Sequence, residues 1–289
     1  MSELRYEAPV TVEAAVELLA SVGGVAKVLA GGTDLLIQMR SDLVEPELIV
    51  NVKKIGEMQK ISAENGGFRF GAAVSGMELV GHEAFAAAWP GVIDGVSLIG
   101  SIQIQGRASV GGNVCNGSPA ADTTPAMIAA AAVASIAGPN GRREVAVEDI
   151  VTGPGQTSIA EDEILVSFFL PERPANSGDA YLRFTPRTEM DIAVVGVGVN
   201  LTLDDGGICT AARVSLGAVA PTPLLVAEAA DALIGTKLGD TAMADLAAAA
   251  SAACRPIDDK RGTVEFRTKV AGVLVRRAAA IALERARQS

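Results

Sequence analysis

The spacing of apolar positions changes along the chain, and those changes divide it. Residues 11–21 show helical spacing, with Thr11 placed as an N-cap and Glu13 favourable in the first turn. Gly23-Gly24 stops that helix, and residues 26–30 then read as a short strand. A further strand fits residues 48–52, which makes a small β-α-β unit bounded near residue 55. Residues 68–74 read as a strand, residues 125–134 as an Ala-rich helix, and residues 164–170 as a strand closed by Pro171. The Pro, Gly and Asn residues of 171–178 mark a linker. Beyond it, two strand-like runs at 192–203 and 208–219 flank Asp204-Asp205-Gly206-Gly207, a hairpin signal. Helices follow at about 225–235, 241–254 and 263–287. The pattern predicts an α+β chain in three parts, 1–55, 56–175 and 179–289, with a small antiparallel sheet in the last. It contains no internal repeat.

Two glycine-rich turns stand out within this frame. One is Leu29-Ala30-Gly31-Gly32-Thr33-Asp34, at the end of a predicted strand. The other is Ser109-Val110-Gly111-Gly112-Asn113, running on through Cys115 to Asp122. A Gly-Gly step lets backbone N–H groups approach a ligand where a Cβ would intervene, and successive N–H groups form a concave anion site. Two such turns could close on a pyrophosphate from opposite sides, so a dinucleotide is the first ligand to consider. Gly-Gly after a short apolar run is also an ordinary turn signal, and the chain has 31 glycines. Neither turn has the G-x-G-x-x-G spacing of a nicotinamide Rossmann domain. Loop amides and hydroxyls would have to hold any phosphate.

Composition removes several other classes. A chain of 289 residues, 49% hydrophobic, can bury sizeable cores and is not disordered. The formal charge of −10 argues against nucleic acid. Arg255, Lys260, Arg261, Arg267, Lys269, Arg276 and Arg277 do gather near the end, interleaved with apolar residues. They read as one solvated helix face or a subunit contact. No apolar run reaches the roughly 18 residues that span a bilayer. The start, through Met1, Ser2, Glu3 and Leu4, lacks a basic region followed by an apolar one, so a cytoplasmic location is expected. Cys115, Cys209 and Cys254 are too far apart to chelate a metal or cluster and read as reduced thiols. Cys115 is either a small apolar spacer or a redox thiol. The one histidine, His82, offers neither a metal site nor a nucleophile–base pair. A chain so poor in acid–base groups needs a cofactor to do chemistry.

The string Leu29-Ala30-Gly31-Gly32-Thr33-Asp34-Leu35, with Ser109-Val110-Gly111-Gly112-Asn113 and Ser118-Pro119-Ala120-Ala121-Asp122, resembles the FAD-binding medium subunit of molybdenum hydroxylases of the xanthine dehydrogenase and carbon monoxide dehydrogenase type. Ala180-Tyr181-Leu182-Arg183, Asp191-Ile192-Ala193 and Leu216-Gly217-Ala218-Val219-Ala220-Pro221-Thr222-Pro223 resemble that family's second-domain signatures, in order and in register. The chain departs from the family at Ile104-Gln105-Gly106-Arg107-Ala108-Ser109, where members often read Ile-Arg-Asn-x-Gly-Thr, and at Leu224-Leu225, where an Arg is usual.

The resemblance implies a two-part, vanillyl-alcohol-oxidase-like FAD domain followed by a C-terminal αβ domain. It implies FAD on this chain, a molybdopterin cofactor on a large partner subunit and two [2Fe-2S] clusters on a small one. The assembly would be a dimer of heterotrimers in which electrons leave through FAD to NAD, a quinone, oxygen or another carrier. On the same basis, amides of Ala30 to Asp34 and Val110 to Asn113 would cradle the pyrophosphate, with the Thr33 and Ser109 hydroxyls assisting. Asp122 would accept from a ribityl or ribose hydroxyl, or cap the following helix. Leu165 would lie against the flavin edge. Tyr181 and Arg183 are the candidates to cover the isoalloxazine and bias its charge, Tyr181 being alternatively a half-buried strand residue. Other classes consistent with the sequence are a self-contained flavin oxidase or reductase and an FAD-free scaffold.

Overall fold

The structure is a computed structural model and describes residues 4–289; Met1, Ser2 and Glu3, part of the start read for a leader, lie outside the described residues. The first part holds β1 (Arg5–Glu7), α1 (Val12–Ala20), β2 (Ala26–Leu29), α2 (Leu35–Arg40) and β3 (Leu48–Asn51). Its three strands form a parallel sheet in the order β1-β3-β2. Thr11 caps α1 as expected, accepting from the Ala14 N–H at 3.2 Å. That satisfies one of the amides a helix start leaves unpaired. β1 was not anticipated, because three residues, two of them exposed, carry no alternating pattern.

The second part begins with β4 (Ile61–Glu64) and β5 (Gly67–Gly71). Short helices follow: α3 (Gly76–Gly81), α4 (Glu83–Ala88), α5 (Pro90–Val96), α6 (Ile102–Gln105), α7 (Val110–Cys115) and α8 (Thr123–Ala129). Next come β6 (Val133–Gly138), β7 (Gly141–Ala146), the small hairpin of β8 (Val151–Gly153) and β9 (Gln156–Thr157), and β10 (Ile164–Leu170). The main sheet here is antiparallel, ordered β4-β5-β10-β6-β7. The helix expected over 125–134 is a correction. It stops at Ala129, and residues 133–134 already belong to β6. Ala131 takes a left-handed φ of 54°, its N–H bonds to the Ile128 carbonyl, and the Ala132 N–H reaches the Met127 carbonyl. This pattern normally recruits glycine and so announces itself; alanine hides it.

The last part is β11 (Ser177–Phe184), β12 (Val195–Leu203), β13 (Cys209–Gly217), β14 (Leu224–Leu225), α9 (Ala227–Asp231), α10 (Asp240–Ala253) and α11 (Val264–Ala286). The strands make one antiparallel sheet in sequence order. The expected hairpin is present: Asp204 Oδ1 accepts from the N–H groups of Gly206 and Ile208 at 2.9 and 2.8 Å, and Gly207 takes a φ of +76°. Among the C-terminal basic residues, Arg267 departs from the expected solvated face. It is buried, donating to the carbonyls of Val194 and Ala218 at 2.8 and 3.3 Å and pairing with Asp259 at 2.7 Å.

Buried side chains form two cores. One runs from Val12 to Leu170, so the β-α-β unit packs into the same interior as Phe70, Ile136 and Phe168. The other runs from Ala180 to Ala286. The two meet where α8, buried along its whole length, lies on the C-terminal sheet. A Cβ on Gly198 would sit 2.5 Å from the Pro125 carbonyl oxygen, and one on Gly217 would sit 2.7 Å from the Pro125 ring. Glycine at these positions therefore sets the depth of the helix on the sheet.

Candidate functional site

A cavity of about 930 Å³ opens between α1, the two glycine turns and the segment leading into β10. That is large enough for a dinucleotide. Of the residues singled out in the sequence, Ala30, Gly31, Gly32, Thr33 and Asp34 line it on one side. Ser109, Gly111, Gly112 and Asn113 line it on the other, and Leu165 contributes from β10. Leu29 and Val110 do not reach the cavity; both are buried beneath it.

The first turn has the geometry the sequence suggested. Gly32 has a φ of +78°, and among the described residues the N–H groups of Gly31, Gly32, Thr33 and Asp34 donate to no protein acceptor. Backbone donors left open in a concave wall are an anion site in waiting. The second turn differs. Its residues begin α7, with Ser109 as N-cap: the Gly112 N–H donates to Ser109 Oγ at 3.1 Å, and the Asn113 N–H to the Ser109 carbonyl at 3.0 Å. Those two amides are already engaged within the protein, the Ser109 hydroxyl accepting one of them. What this side offers is the Gly111 N–H, which donates to no protein acceptor among the described residues, and the Asn113 side chain. Its Oδ1 accepts from Thr123 Oγ1 at 2.6 Å, which fixes the carboxamide and leaves Nδ2 without a protein partner among the described residues.

The four glycines serve different ends. A Cβ on Gly31 would overlap the Arg107 carbonyl, and one on Gly111 would overlap Ala72. Both are small because protein backbone, not ligand, crowds them. Gly32 is needed for its positive φ. Gly112 alone faces open space, a Cβ there meeting only Ser109 Oγ at 3.3 Å. Among the described lining residues Lys27 is the one basic side chain, against Asp34, Glu161, Asp162 and Glu163. The wall therefore presents open amides rather than a cluster of cations.

Asp122, Tyr181 and Arg183 are brought together, but away from the cavity wall. The Tyr181 hydroxyl donates to Asp122 Oδ1 at 2.9 Å, and Arg183 Nη1 to Oδ2 at 2.6 Å. Asp122 makes no side-chain cap to α8, and Tyr181 is 2% exposed. These positions correct the expectation of a cap, and of a half-buried tyrosine. They are a buried ionic seam between the two cores. The seam continues through Asp94, which takes Arg285 at 2.7 and 3.1 Å and the Tyr181 N–H at 3.2 Å. It ends at Asp179, paired with Arg173 at 3.1 Å and accepting from the Gly91 N–H at 2.9 Å.

Burial pushes the carboxyls of Asp122 and Asp179 up to about 6, against the pull of the neighbouring guanidiniums. A carboxyl whose folded pKa exceeds its unfolded value near 3.9 stabilises fully below pH ~4, and that contribution is lost as pH rises through about 6. Each group therefore accounts for about 2 to 3 kcal/mol of stability that declines across that window. In urea titrations at pH 4.5 and pH 7, Asp122→Asn is expected to lose less stability between the two than the wild type. An unchanged difference would refute this. Comparison with wild type cancels the opposite trend from Glu64 and Glu163, whose Arg69 and Arg143 partners hold them below the usual carboxylate range.

The remaining candidates are placed as follows. His82 caps α4, its Nδ1 accepting from the Phe85 N–H at 3.2 Å, and its ring meets Phe68 edge-on. Cys115 is exposed and opens onto the cavity. Cys209 and Cys254 are buried and free. Among the described residues no three His, Cys, Asp or Glu side chains converge as metal ligands, and no helix is long and apolar enough to cross a membrane. Sequence reasoning missed Lys27, Gln38 and Ile159 as cavity residues. Gln38 lies one helical turn after Asp34, and that spacing was the available signal.

Comparison with known proteins agrees with this geometry. The FAD binding domain in molybdopterin dehydrogenase matches residues 2–173, and the CO dehydrogenase flavoprotein C-terminal domain matches residues 180–282. The carbon monoxide dehydrogenase medium chain of Afipia carboxidovorans is 36% identical over 282 residues, covering 98% of this chain and 97% of that one. The xanthine dehydrogenase FAD-binding subunit of Escherichia coli O157:H7 is 36% identical over 222 residues, 76% of this chain and 75% of its own. Among solved structures, a chain of the cyanide-inactivated Cu,Mo-CO dehydrogenase superposes with a TM-score of 0.94 at 36% identity, covering 98% of both chains. The chain belongs to the FAD-binding subunits of the molybdenum hydroxylases, the oxidoreductase family that contains the carbon monoxide and xanthine dehydrogenases.

Proposed function

We propose that this chain is the electron outlet of a molybdenum hydroxylase. In this reading a large subunit holds the molybdopterin cofactor and a small subunit the two [2Fe-2S] clusters, in a cytoplasmic dimer of heterotrimers. FAD, when bound, would supply the redox chemistry between the clusters and an acceptor such as NAD, a quinone, oxygen or another carrier. The protein's own part is to bind and orient. The Gly31 to Asp34 amides meet the pyrophosphate, Thr33 adds a hydroxyl, Asn113 Nδ2 donates from the facing wall, and Leu165 supplies an apolar surface from β10. Ser109 acts by capping α7 and so holds Asn113 in place. Tyr181, Arg183 and Asp122 support the site from the seam behind it. The observation that carries this reading is the row of amides without a protein acceptor in residues that line a dinucleotide-sized cavity.

The test is uptake of FAD by the purified chain, read from its flavin absorption and quenched fluorescence. Gly112→Leu is expected to weaken binding at least ~100-fold, about 2.7 kcal/mol, while leaving the unfolding temperature within a few degrees of wild type. Its side chain enters the cavity without meeting backbone. A wild-type chain that stays colourless with added FAD, alone and with its partner subunits, would sink the proposal and favour a scaffold.

A further inference from the structure

Helix α2 follows directly from the first glycine turn, yet none of its residues is buried. Leu36 and Ile37 are both more than half exposed. Leu35 and Met39 are only half-buried, so hydrophobic packing within this chain holds the helix weakly, and a polar tie adds to it. The tie comes from the opposite wall. Asn116, at the end of α7, accepts from Gln38 Nε2 through its Oδ1 at 3.2 Å and donates from Nδ2 to Asp34 Oδ1 at 3.4 Å. Asp34 and Gln38 stand one helical turn apart, linked by the Gln38 N–H to the Asp34 carbonyl at 2.9 Å. One carboxamide thus spans the first turn of α2 and joins the two glycine turns across 82 residues of sequence. All three side chains border the cavity.

We propose that Asn116 is a cofactor-positioning residue: by bridging Gln38 and Asp34 it latches α2 to the second glycine turn, keeps the Gly31 to Asp34 amides presented to the nucleotide, and so sets how long FAD is retained. This rests on the FAD reading above. The bridge also occupies the carboxylate of Asp34, the one negative side chain in the turn. Without Asn116, that carboxylate would lose a donor that holds it in place and be free to turn toward the phosphates, where like charge weakens binding.

The experiment uses the full chain and FAD itself. Dissociation constants and rates are measured by flavin fluorescence for Asn116→Ala, Gln38→Ala and the double variant, beside the unfolding temperature of each apo chain. Each single change is expected to raise the Kd about tenfold, mostly through faster release, with the apo unfolding temperature almost unmoved. The double variant should fall short of the two effects combined, because both remove the same bridge. Asn116→Asp should be worse than Asn116→Ala and should improve with added salt, since it sets two carboxylates against each other. Wild-type retention in Asn116→Ala and Gln38→Ala, while Gly112→Leu loses FAD in the same assay, would overturn the latch and leave the FAD reading standing. Weakened binding matched by an equal fall in apo stability would also overturn it, assigning Asn116 to the fold. Failure of the wild type to bind FAD would overturn both.

Discussion

Gly31→Ala is expected to lose both FAD and much of the chain's stability, although it adds a single methyl group. That methyl would overlap the Arg107 carbonyl oxygen and lie 2.7 Å from its carbon and 3.0 Å from Ala108 Cα. Overpacking usually costs about 1–3 kcal/mol because side chains can shift. Here the obstacle is backbone, and it leads directly into Ser109, the cap of α7. Relief requires the two turns to separate, which widens the site and exposes Ala108 and Val110. We expect a loss of about 4 kcal/mol, a fall of roughly 10 °C in unfolding temperature for a chain of this size. Calorimetry with and without FAD checks it. A variant that melts like wild type and binds FAD would refute the close approach of the two turns. The contrast with Gly112→Leu is informative: a larger side chain at the second position should spare the fold and lose only the ligand.

The second large effect is expected at Gly198→Val, far from the cavity. The new Cβ would lie 2.5 Å from the Pro125 carbonyl oxygen, with two methyls beyond it. Either α8 lifts from the sheet or β12 bends away, and both disturb the nearby seam of Asp122, Tyr181 and Arg183. Breaking one partner of a buried ion pair costs about 3–5 kcal/mol. Because each half has its own core, the expected signature is a single calorimetric transition splitting into two, with the C-terminal half melting first. One sharp transition at the wild-type temperature would show that α8 is not seated as described.

Much of this architecture is legible from sequence where periodicity and punctuation agree. The run 164–170 is β10 to the residue, because Pro171 ends it, and the Asp-Asp-Gly-Gly turn fixes the β12–β13 hairpin. What escaped did so for physical reasons. The end of α8 was hidden because an alanine, Ala131, holds the left-handed position. The helices between residues 76 and 115 were not anticipated because each spans only one to two turns, too short for a 3.6-residue period to register. At the site, the glycine turns were legible as turns, but the division of labour among their glycines was not. That division depends on Arg107 and Ala72, which only the fold brings into contact. Tyr181 and Arg183, expected together at the isoalloxazine, do lie side by side. Their alternation on β11 puts both on one face, but that face meets Asp122 rather than the cavity.

The order in which the chain is made gives the seating of α8 a biosynthetic meaning. Translation proceeds from the N-terminus, and domains fold as units as they emerge. Every residue lining the cavity lies at or before Leu165, so its walls can close while the last third of the chain is still being synthesised. During that interval α8, buried along its whole length in the finished protein, is uncovered on the face that Gly198 and Gly217 later receive. The unfinished chain thus carries a closed cavity beside an apolar helix face that only its own C-terminal sheet will cover, so the hazard of aggregation falls in that interval.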